Sequence, residues 1–497
     1  MEFKRASGIL LHPTSLPSPH GIGSLGEEAY RFVDFLAESG QSIWQILPLG
    51  PTGYGDSPYS AYSAFAGNPL LISLGGLVAD GDLSAEDIVS ADPADPTRVD
   101  YGHAHQVKDG LLQKAARNFQ AGSRQERRAA FHNFCQHQAY WLEDYALFRA
   151  LRARFGHTCW SEWPEEIRLR DHDTLNHWRS ELAESVFFHK YAQFSFYEQW
   201  FDVKRYANEK GIRIFGDLPI FIAYDSVDVW ANPHLFFLDE QGRPTVVAGV
   251  PPDYFSDTGQ RWGNPLYRWD RMAEEGYSWW VARFRWNLTQ TDMVRIDHFR
   301  GFEAYWEIPA EEKTAVNGRW VEGPRDSFFQ ALRDALGDIP IIAEDLGLIT
   351  AEVENLRDRF GFPGMKVLQF AFGESPDNPY LPHNVPHNSV MYTGTHDNDT
   401  TLGWWHSLKK SDMDAVRQYL GHEARDMPWD LIRLAEASVS DLCIVPMQDV
   451  LGLGNEARMN RPGQGKGNWD WRLAPGAATP ALAERLGHLT YIYGRKP

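Results

Sequence analysis

The 497-residue chain has only three cysteines, Cys135, Cys159 and Cys443, and none stands in a CxxC spacing. That argues against a disulfide framework or a cysteine-rich zinc site and suits a reducing, cytoplasmic setting. No stretch approaches the ~18 apolar residues of a membrane span. The start, MEFKRASGILLHPTS, loses its apolar run at His12 and Pro13, too early for a secretory signal. Cations are also scarce: 48 Lys and Arg face 67 Asp and Glu, a net charge of −19. Such a balance suits neither nucleic-acid backbones nor anionic membrane surfaces. The charge is read as solubility, with no partner implied. Catalytic signatures are missing too. There is no GxSxG and no HExxH, and GQGKGN lacks the Ser or Thr that a phosphate loop needs after Lys466. Repeats and low-complexity segments are absent.

Aromatic residues, by contrast, are plentiful, with 19 Trp and 20 Tyr. Each presents a flat apolar face and one polar handle. A pyranose ring has an apolar face of C–H groups and a belt of hydroxyls, so the two suit each other.

A short apolar run that ends in polar residues recurs eight times. The runs are GILLHPTS (8–15), SIWQILPLG (42–50), IRIFGDLPIFI (212–222), MVRIDHF (293–299), IIAEDLG (341–347), GMKVLQF (364–370), SVMYTGTHDND (389–399) and LCIVPMQDVLG (442–452). Near-continuous apolar runs are expected of parallel strands buried on both faces. Helical patterns lie between them, at 27–39 and 187–209, with Gly40 and Gly211 as stop signals. Strand–helix alternation in eight units predicts an α/β fold, a (β/α)8 TIM barrel spanning 1–497 as one catalytic domain.

The spacing is uneven, which predicts large subdomain insertions between barrel strands. Roughly 51–211 should hold a largely helical subdomain after the second strand, with one long helix over 125–155. Roughly 223–290, rich in Pro, Gly and aromatics, should form a loop subdomain after the third. Both should sit over the mouth where the strands' C-terminal ends converge.

Several strands end in carboxylates: Asp217, Asp297, Glu344 with Asp345, and Asp397 with Asp399. Acids at C-terminal strand ends meet on one rim. Arg295 lies two residues before Asp297, so both point to the same face. A nearby guanidinium favours the ionised carboxylate, which suits a nucleophile. His298 and His396 stand beside acids and can bond sugar hydroxyls. Glycoside chemistry needs one ionised and one protonated carboxyl, and a third acid can grip the distorted ring. The residues alone do not decide between Glu344 and Asp345.

A competing motif is GIGSLG (21–26), which matches GxGxxG. A dinucleotide fingerprint has a tight turn after its strand, and here the loop HPTSLPSPH intervenes. The next strand also ends QILPLG, with no acid for a ribose. Two aromatic loops stand out instead. PTGYGDSPYSAYSAFAGNP (51–69) carries Tyr54, Tyr59 and Tyr62, and GVPPDYFSDTGQRWGNPLYRW (249–269) carries Tyr254, Phe255, Trp262 and Tyr267.

Together HPTSLPSPHGIGSLG, GPTGYGDSPYSAYSAFAGNP, GDLPIFIAYDSVDVW, GVPPDYFSDTGQRWGNPLY, RIDHFRGF, IIAEDLG, GTHDNDT and GNW at 467–469 resemble the amylomaltases. These are the 4-α-glucanotransferases of glycoside hydrolase family 77. The motifs run in order along essentially the whole chain. The resemblance implies Asp297 as nucleophile, Glu344 as acid/base and Asp397 as the acid that stabilises the transition state. It places Ser57, Tyr59, Arg295, His298 and His396 along the donor sugar site; Asp217, at its own strand end on the acidic rim, is also expected to bind substrate. Tyr254 and Trp262 fall on the acceptor side, and Asn468 at a glucan-contacting position. Tyr54 and Tyr101 match a second glucan-binding groove.

The expected reaction is retaining transfer between α-1,4-glucans, with the two catalytic carboxyls about 5–5.5 Å apart. Cyclisation of long glucans is a further expectation. No cofactor and no metal are expected, and no nucleic-acid or membrane partner. The protein is expected to be a monomer or a weak homo-oligomer. The alternatives are an α-1,4-glucan hydrolase and a non-catalytic starch-binding protein; retention of all three acids argues against the latter.

Overall fold

The computed structural model describes residues 3–88, 95–122, 124–252, 256–373 and 375–496. In chain order its strands are β1 (Ala6–Leu10), β2 (Ile43–Gln45), β3 (Arg213–Pro219), β4 (Val246–Val250), β5 (Gln260–Pro265), β6 (Met293–Asp297), β7 (Ala304–Pro309), β8 (Arg319–Glu322), β9 (Ile341–Ala343), β10 (Gly364–Val367), β11 (Ser389–Tyr392) and β12 (Leu442–Pro446). Eight of them close a barrel in the order β1, β2, β3, β6, β9, β10, β11, β12. Every neighbouring pair is parallel, so all eight C-terminal ends open at one mouth.

Each of the eight apolar runs supplies one barrel strand. The strands are shorter than the runs because the C-terminal residues of each run leave the sheet at the mouth. β12 and β11 are buried at every position, as expected where helices cover one face and barrel interior the other. α1 (Glu27–Glu38) follows β1 and buries Phe32, Val33, Phe35 and Leu36.

Between β2 and β3 run α2 (Tyr101–Gly122), α3 (Gln125–His137), α4 (Ala139–Arg154) and α5 (Ala183–Glu209), among shorter helices. The stretch 125–155 is therefore two helices and not one. The chain leaves helical geometry at Gln138, whose side chain takes up the Trp141 indole N–H at 3.0 Å. The break lets the halves bury different faces. Phe131 packs edge-on to Phe194 of α5, while Trp141 stacks over Phe65.

α5 also anchors the loop after β2. Gln193 accepts the Gly67 N–H and donates to its carbonyl, both at 2.8 Å. Gln199 does the same for Ser73, at 2.7 and 3.1 Å. Two buried amides thus give this segment the backbone partners a strand would otherwise supply.

The stretch 223–290 contributes more than loop. β4 and β5 join β7 and β8 in an antiparallel sheet of order β5–β4–β7–β8. α6 (Ser278–Gln290) then leads into β6. The sheet draws on loops after two different barrel strands, and its last two strands, AYWEIP and RWVE, carry no long apolar run. No helix among the described residues is long and apolar enough to cross a membrane.

Candidate active site

The site begins one layer below the mouth. β3 and β6 pair Asp217 with Arg295 and Pro219 with Asp297. Arg295 is almost fully enclosed, and its Nε donates to Asp217 Oδ1 at 3.0 Å. Its Nη2 donates to Asp297 Oδ1 at 2.5 Å and to the Tyr59 hydroxyl at 3.3 Å. The Tyr59 hydroxyl in turn donates to Asp217 Oδ2 at 2.5 Å. Asp217 is sealed from solvent, whereas Asp297 keeps 30% of its side chain open to the mouth. One buried guanidinium thus holds two carboxylates, the lower one fixed and the upper one presented.

Glu344 follows β9, the strand beside β6. Their register pairs Ile296 with Ala343, so the next residues, Asp297 and Glu344, leave the sheet as neighbours. Adjacent strands lie about 4.8 Å apart, so the two side chains start out within reach of one substrate atom. The Glu344 N–H donates to the Ile296 carbonyl at 3.0 Å. Its carboxylate accepts the N–H groups of His298 at 2.7 Å and Leu346 at 3.1 Å. His298 reaches that position only because its backbone is left-handed, with φ 53°. A non-glycine residue held there stores on the order of 1–3 kcal/mol of strain.

Asp345 points the other way. It is buried, accepts the Met365 N–H at 2.7 Å and pairs with Arg357. A side chain at Gly364 would come within 2.4 Å of its Oδ2, so glycine is required there. Asp345 is tied to the barrel wall and is not free to meet a substrate. The structure separates the two acids that the sequence left together.

Asp397 follows β11 on the far side of the mouth, with 46% of its side chain exposed. Asn460 donates to its Oδ1 at 2.6 Å, and Arg458 donates to its backbone carbonyl at 2.7 Å. His396 Nε2 lies 3.4 Å from the same Oδ1. The His396 ring stacks on Tyr59, centroids 5.3 Å apart, and Trp469 closes the group at 5.8 Å from Tyr59. Tyr59 therefore joins the Asp217–Arg295 base to the His396–Asp397 wall.

Burial sets the protonation states. It pushes Glu344 up to about 7, against the pull of Arg295 and two backbone N–H groups. It also raises Asp297, with Asp217, Glu344 and Asp397 adding to the rise and Arg295 opposing it. The two carboxyls compete for one proton. The 2.5 Å contact from Arg295 holds the negative charge on Asp297, so the proton falls to Glu344. Burial pushes His298 down to about 4 and lowers His396, so both rings are neutral near pH 7. His298 Nε2 is buried with no partner among the described residues, a polar atom left for a ligand hydroxyl.

The other sequence-predicted residues fall as follows. Trp262 meets His298 edge-on at 4.9 Å and is 39% exposed, forming one side of the mouth. Ser57 Oγ accepts the Tyr59 N–H at 3.3 Å and shapes that turn. Asn468 spends its amide inside its own loop, on Arg461 N–H and the Gln464 carbonyl. The Tyr101 hydroxyl donates to the Trp469 carbonyl at 3.0 Å, linking the start of α2 to that loop. Tyr54 opens a turn over Tyr54–Asp56, and its side chain lies outside what the structure describes. Tyr254 also lies outside the described residues.

Asn460, Arg458 and Trp469 were not singled out from the sequence. Only Trp469 carried a signal, as the last letter of GNW. The glycines of GIGSLG are engaged in packing. The Gly23 N–H donates to the Thr14 carbonyl, and a Cβ there would come within 2.0 Å of the Pro13 oxygen. That segment does not form a phosphate cradle.

Comparison with known proteins identifies the family. The family model described as 4-alpha-glucanotransferase matches residues 11–478. A 4-alpha-glucanotransferase of Thermus thermophilus is 54% identical over 495 residues, covering 98% of each chain. One from Synechocystis sp. is 52% identical over 497 residues, covering 99% of this chain and 98% of that one. The structure of the amylomaltase from Streptococcus agalactiae in complex with acarbose aligns at TM-score 0.96 and 41% identity, over 99% of this chain and 100% of that one. The barrel, its acidic mouth and full-length similarity lead to one conclusion: the chain belongs to the 4-alpha-glucanotransferase family.

Proposed function

We propose that the enzyme transfers α-1,4-glucan segments by a retaining double displacement, with Asp297 as nucleophile, Glu344 as acid/base and Asp397 as transition-state stabiliser. An Asp297 oxygen attacks the anomeric carbon of the donor. The bond to the leaving glucan breaks, and the Glu344 proton goes to the departing 4-oxygen. A β-glucosyl ester on Asp297 results. The 4-hydroxyl of an acceptor then attacks the same carbon, Glu344 takes its proton, and the ester bond breaks. Asp297 is again a carboxylate, and a new α-1,4 bond has formed. Asp397, with its Oδ1 held by Asn460, grips ring hydroxyls as the sugar flattens. His298, His396 and Tyr59 line the donor side, and Trp262 the acceptor side.

The observation that carries this reading is the division between two neighbouring acids. Arg295 keeps one anionic, while burial keeps the other protonated up to about pH 7. It predicts that kcat/KM for a malto-oligosaccharide donor falls as pH rises past about 7, because Glu344 must enter the first step protonated. The Glu344→Gln variant should lose this limb along with most activity. A profile that stays flat well above neutral would remove Glu344 from the role of acid. The substrates are malto-oligosaccharides, amylose, starch or glycogen, and cyclisation of a long glucan is the same transfer with the chain's own end as acceptor. The three unpaired cysteines support a reducing, cytoplasmic location, and the enzyme works as a monomer or weak homo-oligomer.

A further inference from the structure

A second aromatic cavity, of about 220 Å³, lies outside the barrel mouth. It forms where α4 and α6 meet the loop that follows β2. Phe65 is its floor, backed by Trp141, which stacks on it at 13°. Two rings stand on that floor as walls. Tyr140 lies at 87° to Phe65, with centroids 5.8 Å apart, and Trp279 lies at 86° and 6.1 Å. Tyr140 is 56% exposed, so its ring borders the cavity on the solvent side.

The rim is polar, and Asp144, Asn232 and Glu275 line it. One of these carboxylates has a cationic partner. Asp144 pairs with Arg170 at 2.8 Å, and Glu275 lies 3.3 Å from His234. Asp228, deeper in, accepts the Ala64 N–H at 2.7 Å, and burial pushes it up to about 6. An anion would meet carboxylates, whereas hydroxyl groups would find acceptors in them. What remains is a slot with apolar ring faces and a rim of hydrogen-bond acceptors, which matches a neutral ring with a belt of hydroxyls.

We propose that this slot binds one glucosyl unit of an α-glucan, between Tyr140 and Trp279, as an accessory site separate from the mouth. The inference rests on the reading of the enzyme as glucan-active. A chain long enough to reach both sites would gain effective concentration at the mouth, whereas a trisaccharide would not. The site therefore discriminates by substrate length.

The test uses the full-length enzyme and its Tyr140→Ala and Tyr140→Phe variants, with maltotriose and amylose as substrates and maltoheptaose soaked into crystals of the wild type. The expected result is a KM for amylose raised at least threefold in Tyr140→Ala, unchanged transfer from maltotriose, and near-wild-type behaviour for Tyr140→Phe, which keeps the ring. Sugar density should stand between Tyr140 and Trp279. An unchanged amylose KM in Tyr140→Ala, with sugar at the mouth and none in the slot, overturns the proposal and leaves the enzyme's function intact. Absence of transfer from maltotriose by the wild type overturns both.

Discussion

Asp297→Asn should reduce glucan transfer by on the order of 10^4–10^6-fold, the scale seen when a covalent nucleophile is removed. Folding and glucan binding should persist. An asparagine oxygen can still accept from Arg295, and the exposed edge of the side chain keeps its shape. What is lost is the negative charge that forms the glycosyl ester. A smaller side chain gives a sharper test. In Asp297→Ala, azide can enter the vacated space and attack the anomeric carbon of an activated α-glucosyl donor from the β face. The product would be a β-glucosyl azide, which a residue with only a structural role could not explain. Wild-type-like turnover in Asp297→Asn would remove it from the chemistry altogether.

Arg295→Met should be the most damaging change below the mouth. It removes the one cation that holds both Asp217 and Asp297. Breaking a buried ion pair by deleting one partner costs about 3–5 kcal/mol. Asp217 has no solvent access, so its charge would be stranded. Activity should fall by on the order of 10^3-fold, since the nucleophile loses both its position and its bias toward the anion. The pH dependence has a definite sign. Burial and the neighbouring carboxylates already raise Asp297, so the deficit should be largest at neutral pH, where that carboxyl is ionised, and shrink as acid protonates it. Thermal unfolding of the variant and wild type from pH 7 down to pH 4.5 would read this. Arg295→Lys should fall in between, because an ammonium cannot serve three oxygens in one plane. Equal stability of wild type and Arg295→Met at neutral pH would contradict the assigned network.

The barrel was legible because its strands are buried on both faces and therefore read as unbroken apolar runs. The Arg295–Asp297 contact was legible from period-two geometry alone. Other features depend on information a single run does not carry. Glu344 and Asp345 are consecutive, so they point to opposite sides, but which side faces the mouth is set by the register of β9 against β6. Asn460 reaches Asp397 across 63 residues of chain, from a loop with no periodic signal. The break at Gln138 involves neither glycine nor proline, so the apolar stripe reads through it. The small sheet pairs strands from two separate loops, and its edges are short and partly exposed. The role of each acid came from family resemblance. The geometry then supplied a physical reason for two of the three roles: a guanidinium on Asp297 and burial around Glu344.

Transfer to a sugar in preference to water separates this enzyme from a glucan hydrolase. Incubation of the wild-type enzyme with maltotriose, followed by product separation and a reducing-end assay, tests it most directly. Glucose together with a ladder of longer oligomers is expected, at a constant number of reducing ends. A steady rise in reducing ends without longer products would mean that water takes the glycosyl unit, and would contradict transfer to a sugar.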